Sequence, residues 1–480
     1  MSGKRDGTRT ETDSMGAIEV PAEHYWGAQT QRSLLHFDIG GDRDRMPIEV
    51  YRAYGYVKKA AALVNAESGR LPRQVADAVV EAADEVSAGT LDAEFPLYIW
   101  QTGSGTQSNM NVNEVIANRA NEILGSPRGT KHPVHPNDHV NMGQSSNDSF
   151  PTAMHLATLE LITRHTLPEV TRLAEVIRAK AGEWVDLVKI GRTHLQDATP
   201  LTVGQEWSGW AWQLHQAAAR ADGATTSLYE IALGGTAVGT GLNAPPGFGS
   251  RVAEVLAGLT GFPVVSAPSK FAAQGGLDAM VAASAGLRGI AVALMKIAND
   301  MRWLASGPRA GLHELVLPAN EPGSSIMPGK VNPTQQEAMV MVCLQVLGED
   351  QIVANAGAAG NFELNAMRPV ILANVLHSAR ILGDASHKLR VFSVAGITVD
   401  TARVKSDVDN SLMLVTALSP HIGYDKASAV AHRADREGST LREAALAEGV
   451  DADLFDRIVV PANMVGDPHA DLAVDPNRSD

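Results

Sequence analysis

The feature that most constrains this chain is a seven-residue repeat between Gly276 and Gly307. Met280, Leu287, Leu294 and Met301 recur at heptad spacing, and Ile290, Ile297 and Leu304 fill the alternate seam. Only a long helix packed against other helices gathers these side chains into one stripe. About 30 residues at ~1.5 Å each span roughly 45 Å, twice an average globular helix, and Gly307-Pro308 supplies the stop. Further helices are predicted over about Glu49–Glu67, Val75–Ala88, Val112–Leu124, Phe150–Trp184, Val203–Leu233, Gln335–Ala354 and Arg368–Val391. The fold class is therefore all-α, built on a long central helix bundle, and the Met, Leu and Ile stripes are core packing that needs no cofactor.

The 480 residues suffice for a large core and several domains, with candidate boundaries near Gly143 and Thr398. These divide the chain into a mostly helical N-terminal part (1–143), the long-helix part (144–398) and a small helical C-terminal part with a polar tail (399–480). The longest apolar runs fall short of a membrane span, which needs about 20 residues. A net charge of −14 excludes broad contact with nucleic acid or anionic membranes. Cys343 is the only cysteine, so an internal disulfide and any cysteine-rich metal or cluster site are excluded, and a reducing cytoplasm fits. Met1 to Thr10 is short and polar and reads as no targeting segment.

Between the predicted rods lie four polar, Gly-rich connections, and loops held on rigid scaffolds are where chemistry concentrates. In the longest, Gly323 and Gly329 bracket Ser324, Ser325, Ile326, Met327 and Pro328, and Lys330 follows. The glycines suggest a hinged lid. Asn332-Pro333 then reads as the start of a helix, with Asn332 as N-cap and Gln335 completing a near capping box. Fixed charge, free amides and a hydroxyl suit a small carboxylate, although a capped turn with Lys330 in solvent has the same spacing. A nucleotide-binding loop does not fit, because Val331 stands where Ser or Thr is required.

Gly191-Arg-Thr193-His194 places a histidine in a polar turn ahead of Pro200. A loop histidine is commonly surface decoration, yet it is also the side chain best suited to moving protons near neutral pH, and Glu337 is a candidate partner for it. Ser104 to Asn109 and Ser145 to Asp148 set hydroxyl and amide donors ahead of predicted helices. Capping alone explains each of these loops, while four such clusters in one chain favour a shared polar pocket.

The segment GSSIMPGKVNP, Gly323 to Pro333, resembles the signature loop of the fumarase/aspartase superfamily. Within it the chain is similar to class II fumarases from about Thr10 to about His469, through TETDSMGAIEVPAEHYWGAQTQRS, QTGSGTQSNMNVNEV, VHPND, QSSNDSFPTAMH, GRTHLQDATPLTVGQE, GGTAVGTGLN and NDMRWLASGP. The resemblance implies reversible hydration of fumarate to L-malate through an aci-carboxylate, without metal or organic cofactor. It also implies a three-domain subunit in a homotetramer with a 20-helix core, each active site drawing on three subunits.

Residue by residue, the resemblance makes Ser324 the base, Lys330 its electrostatic support, His194 an acid/base group and Glu337 the carboxylate paired with it. Substrate binding falls to Ser104, Gly105, Thr106, Ser145, Ser146, Asn147, Thr193, Ser325, Lys330, Val331 and Asn332. His135, Pro136, Asn137 and Asp138 correspond to a second dicarboxylate site, with one departure: His132 stands where these enzymes tend to carry Arg. Aspartate ammonia-lyase, with the same loop and the same proton abstraction, is the alternative activity. Gly329 and the Gly103–Gln107 loop resemble the fumarase versions. A scaffold that kept the bundle and lost the chemistry is the non-enzymatic alternative.

Overall fold

A computed structural model of the chain describes residues 7–473. In chain order it forms a hairpin, β1 (Thr8–Asp13) and β2 (Gly16–Pro21), then α1 (Ala28–His36), α2 (Ile48–Glu67), α3 (Arg73–Ser87), α4 (Thr106–Ile123), α5 (Ser146–Leu161) and α6 (Leu167–Glu183). A second hairpin, β3 (Val188–Thr193) and β4 (Gln196–Thr202), leads into α7 (Val203–Thr225), α8 (Phe248–Thr260), α9 (Lys270–Gly275) and α10 (Asp278–Leu304). Then come α11 (Thr334–Gly357), α12 (Arg368–Phe392), α13 (Thr401–Asp409) and a run of short helices to Ala473.

The helical expectation holds. The heptad stripe is α10, with Met280, Leu287, Ile290, Leu294, Ile297 and Met301 all at most 1% exposed. The two antiparallel hairpins were not foreseen, because Gly and Pro obscure their alternation. The stretch expected as one helix from Phe150 starts earlier, at Ser146, and is interrupted by a π-helical turn at Ile162–Thr166. By length and composition α10 does qualify as a possible membrane span, contrary to the expectation, but its buried seam marks a core helix. Of the polar N-terminal stretch, Met1 to Asp6 lie outside the described residues, and Thr8 to Thr10 belong to β1. The polar tail is helical over Pro468–Ala473, and residues 474–480 lie outside the described residues.

The chain separates into two compact units. One holds the chain up to Thr166 with Arg220–Arg288 and Gln345–Ile381; the other holds Leu167–Ala219, Gly289–Leu344 and the chain from Leu382 onward. In the first, α2 buries Tyr51, Tyr54, Val57, Lys58 and Ala61, and Tyr51 stacks on Phe95 with ring centroids 4.5 Å apart. Its neighbour α4 is buried although it is rich in asparagine. The asparagines pair with loop backbone: Asn111 Nδ2 donates to Glu94 O, and Asn121 both donates to Val134 O and accepts from Val134 N–H. A buried amide left unpaired is costly, so each such bond fixes a loop against the helix.

In the second unit Trp207 packs edgewise on Trp184 and lies against Trp210, whose Nε1–H donates to Asp300. Its C-terminal helices enclose a cluster that includes Leu414, Leu418, Val430, Leu441 and Phe455.

Truncating the α10 seam tests whether the heptad is structural. Leu294→Ala removes a fully buried side chain and should destabilise the fold by about 2–5 kcal/mol, read as a lower urea midpoint in circular dichroism.

Candidate active site

In the first unit, the loop before α4 does not use its hydroxyls for capping. Gly105 occupies the N-cap position at φ 79°, and no side chain caps the helix there. The Ser104 and Thr106 hydroxyls lie 2.7 Å apart, and Thr106 Oγ1 lies 2.7 Å from Ser146 Oγ. Three hydroxyls thus form a continuous row, with Thr106 exposed at its centre. The glycines make this approach possible. A Cβ on Gly105 would sit 2.4 Å from the Phe150 ring, and one on Gly103 would overlap the Ala366 carbonyl oxygen at 1.4 Å.

Ser145 does cap its helix. Its Oγ accepts from Asn147 N–H, and the fully buried Asp148 accepts from Ser145 N–H in return, completing a capping box. The other Asp148 oxygen accepts from Gly234 N–H and Thr236 N–H, each at 2.9 Å. Asn147 Nδ2 donates to Ala237 O.

The expected second site lies in the same unit. His135 Nδ1 accepts from Asn137 N–H at 3.1 Å and Asp138 N–H at 3.2 Å, capping the π-helical turn Pro136–Val140. Asp138 Oδ2 also stands 3.4 Å from that nitrogen. Two backbone amides aimed at Nδ1 make that nitrogen the acceptor in this turn. A cavity of about 220 Å³ beside His135 and Asn137 is lined by Glu11, Asp13, Glu114 and Lys131. Its carboxylates are committed elsewhere: Glu114 holds the N-terminus of α1 through Gly27, Gln29 and Thr30, Asp13 pairs with Arg32, and Glu11 pairs with Arg9. His132 is exposed.

In the second unit, His194 stands at the tip of the β3–β4 hairpin, where Thr193 pairs with Gln196. His194 and Leu195 have φ of 57° and 63°, the arrangement of a type I′ turn normally made by Asn-Gly. Two non-glycine residues in the left-handed region are strained, and such strain gathers at functional sites. The hairpin is rooted in a buried charge network. Lys189, 1% exposed, donates to both oxygens of Glu206 at 2.8 and 2.9 Å and lies 2.7 Å from Glu314, which also meets Arg192. Burial pushes the Glu206 carboxyl up, and Lys189 opposes that shift.

The loop carrying Ser324 closes on itself through Gly323 N–H to Lys330 O at 3.0 Å and Asn332 Nδ2 to Gly323 O at 2.5 Å. Asn332 is therefore a latch for the loop. No capping bond from Asn332 or Gln335 is formed among the described residues, contrary to the expected capping box. Ser324 Oγ accepts from Met327 N–H at 3.1 Å and Ile326 N–H at 3.3 Å. Two aligned amides stabilise negative charge on that oxygen. Ser325, Ile326, Lys330 and Val331 are exposed, and no described residue pairs with the Lys330 ammonium.

The hydroxyl row, Ser145 and Asn147 thus belong to the first unit, while Thr193, His194, Ser324, Lys330, Asn332 and Glu337 belong to the second. Glu337 is exposed, and no described bond joins it to His194.

The Lyase family matches residues 16–348, and the family described as Fumarase C C-terminus matches residues 414–466. A protein named fumarate hydratase class II from Methanosarcina acetivorans is 66% identical over 467 residues, covering 97% of this chain and 96% of the relative. The chain belongs to the class II fumarate hydratase family. A second member, from Ralstonia nicotianae, is 58% identical over 96% of this chain and 99% of its own. The crystal structure of the class II fumarase from Schistosoma mansoni superposes with a TM-score of 0.94 at 44% identity, covering 96% of this chain and 99% of that one.

Sequence reasoning did not find Lys58, Lys189, Glu314 or Arg368, all buried charged residues. A signal existed for Lys58: it falls on the apolar face of α2 with Tyr51, Tyr54 and Ala61, where a lysine has no bland place. The cap offers a local check. Ser145→Ala should cost about 0.5–2 kcal/mol of stability, seen as a lower melting temperature.

Proposed function

We propose that the chain interconverts fumarate and L-malate by acid/base chemistry at a site assembled from the hydroxyl row, His194 and the Ser324 loop. The observation that carries the chemistry is the pair of backbone N–H groups on Ser324 Oγ. Serine is a poor base unless its alkoxide is stabilised; the two backbone amides on its oxygen favour that charge, and Lys330 adds electrostatic support in this reading. Ser324 removes a proton from the malate carbon next to the distal carboxylate. The electron pair moves into that carboxylate and forms the aci-carboxylate dianion. Lys330, the remaining Asn332 amide hydrogen and the Val331 backbone stabilise it.

His194, oriented by Glu337, delivers a proton to the departing hydroxyl as the pair returns to form the double bond, releasing fumarate and water. Thr193, Ser325 and the row Ser104, Thr106 and Ser146 hold the carboxylates; Gly105 lets Phe150 pack beneath, and Ser145 and Asn147 fix the second loop. This reading has a homotetramer of three-domain subunits, each site drawing on three copies, in the cytoplasm and without a metal ion. Exposed apolar side chains on the long helices support assembly: Val292 and Trp303 on α10 are 56% exposed, and Met341 and Leu344 on α11 are 64% and 54% exposed. The peripheral site at His135 to Asp138 belongs to the same reading, with His132 in place of the expected arginine.

Ser324→Ala should abolish nearly all turnover while leaving helicity and assembly intact, and His194→Asn should lower kcat steeply. Full activity in either variant removes that residue's role. Mixing the two inactive variants, dissociating them and reassembling them should restore part of the activity, because some sites then draw an intact residue from each; no recovery contradicts shared sites. Chelator treatment should leave kcat unchanged, and inactivation reversed by a divalent cation would contradict the metal-free chemistry.

A further inference from the structure

Two cations lie wholly inside the first unit without a carboxylate bound to either. Lys58, 0% exposed, donates from Nζ to Asn109 Oδ1 at 2.7 Å, Gln144 Oε1 at 3.0 Å and Asn141 Oδ1 at 3.1 Å. Arg368, also 0% exposed, opens α12 and donates to Gln274 O at 3.0 Å and, at 3.4 Å each, to the backbone carbonyls of Ser104 and Ser146. Its Nε finds no acceptor.

Burial without an ion partner is what folding alone disfavours. It lowers Lys58 to about 7 and Arg368 to about 10, with Asp148 opposing both shifts. Asp148 is the anion set against both cations, and its charge is already spread over three backbone N–H groups.

The partners of these cations are not arbitrary. Ser104 and Ser146 carry the two ends of the hydroxyl row, and Arg368 Nη1 donates to the backbone carbonyls of both. Lys58 gathers Asn109, three residues into α4 from Thr106, with Asn141 and Gln144, which run directly into Ser145 and Ser146. Asn109 Oδ1 also accepts from Ser149 Oγ. Each cation therefore ties the Ser104–Thr106 loop to the Ser145–Ser146 loop from below.

We propose that Lys58 and Arg368 are positioning residues for the dicarboxylate, fixing the hydroxyl row and supplying, from beneath it, an excess of positive charge that favours a dianion. This rests on the hydratase reading and extends it. It also answers how a chain of net charge −14 admits a doubly negative substrate: Arg368 keeps its charge at neutral pH and Lys58 keeps part of its own, both held in low dielectric where screening is weak. Neither residue touches the reacting atoms.

The test compares wild type with Lys58→Met and Arg368→Met, using succinate as an unreactive dianion and succinamate as its monoanionic counterpart. In variants whose circular dichroism matches wild type, KM for fumarate and the succinate inhibition constant should rise about tenfold or more. The succinamate constant should move much less, and kcat should fall less than KM rises. Equal shifts for the two inhibitors, or none, overturn the proposal.

Should the methionine variants not fold, Lys58→Arg and Arg368→Lys carry the test. They keep the charge and alter the geometry, so they should retain the preference for succinate while kcat falls; losing that preference with the charge in place also overturns the proposal. Wild-type protein inert toward fumarate would defeat the hydratase reading itself, which the variants do not address.

Discussion

The architecture of the first unit depends on the Asp148 carboxylate and the buried groups around it. With one oxygen Asp148 starts α5; with the other it holds the Gly234–Thr236 turn. In the interior a charged oxygen has no water to turn to, so every bond it makes is enforced by the cost of breaking it. The same logic runs through the asparagines of α4 and through Lys58 and Arg368. Loops that would otherwise be mobile surface connections are pinned by polar groups that have no other partners.

The second unit solves a related problem differently. His194 rides on a two-residue turn whose φ values disfavour both residues, and the hairpin is held at its root by Lys189, Glu206, Glu314 and Arg192. A network of Lys189 and Arg192 with Glu206, Glu314 and Asp407 anchors the hairpin and leaves its tip exposed. The Ser324 loop, in contrast, is held by bonds within itself, through backbone, the Asn332 amide and the Ser324 hydroxyl, with Ile326 84% exposed.

How much of the molecule was legible in the sequence depends on the range of the forces involved. The α10 heptad is a local pattern repeated without interruption, so periodicity found both the helix and its buried face. The hairpins at Thr8–Pro21 and Val188–Thr202 escaped because a bulge at Gly191, Pro200 within β4 and Pro21 at the end of β2 break the alternation. Ser145 reads as a cap and is one; Ser104 reads equally as a cap and is not, because Gly105 takes that position and Phe150 fills the space beneath. Asn332 carries a cap signature but latches the loop to Gly323, nine residues back, a contact that no window of local sequence reveals. The buried charges were hidden for the same reason, since their partners lie up to 264 residues away.

The most direct measurement is ultraviolet absorbance of fumarate after chelator-treated protein is added to L-malate, with L-aspartate in a parallel cuvette. Fumarate from malate alone is the result expected of a hydratase. Fumarate from aspartate alone would contradict it in favour of ammonia elimination, and silence in both cuvettes would contradict catalysis by this scaffold altogether.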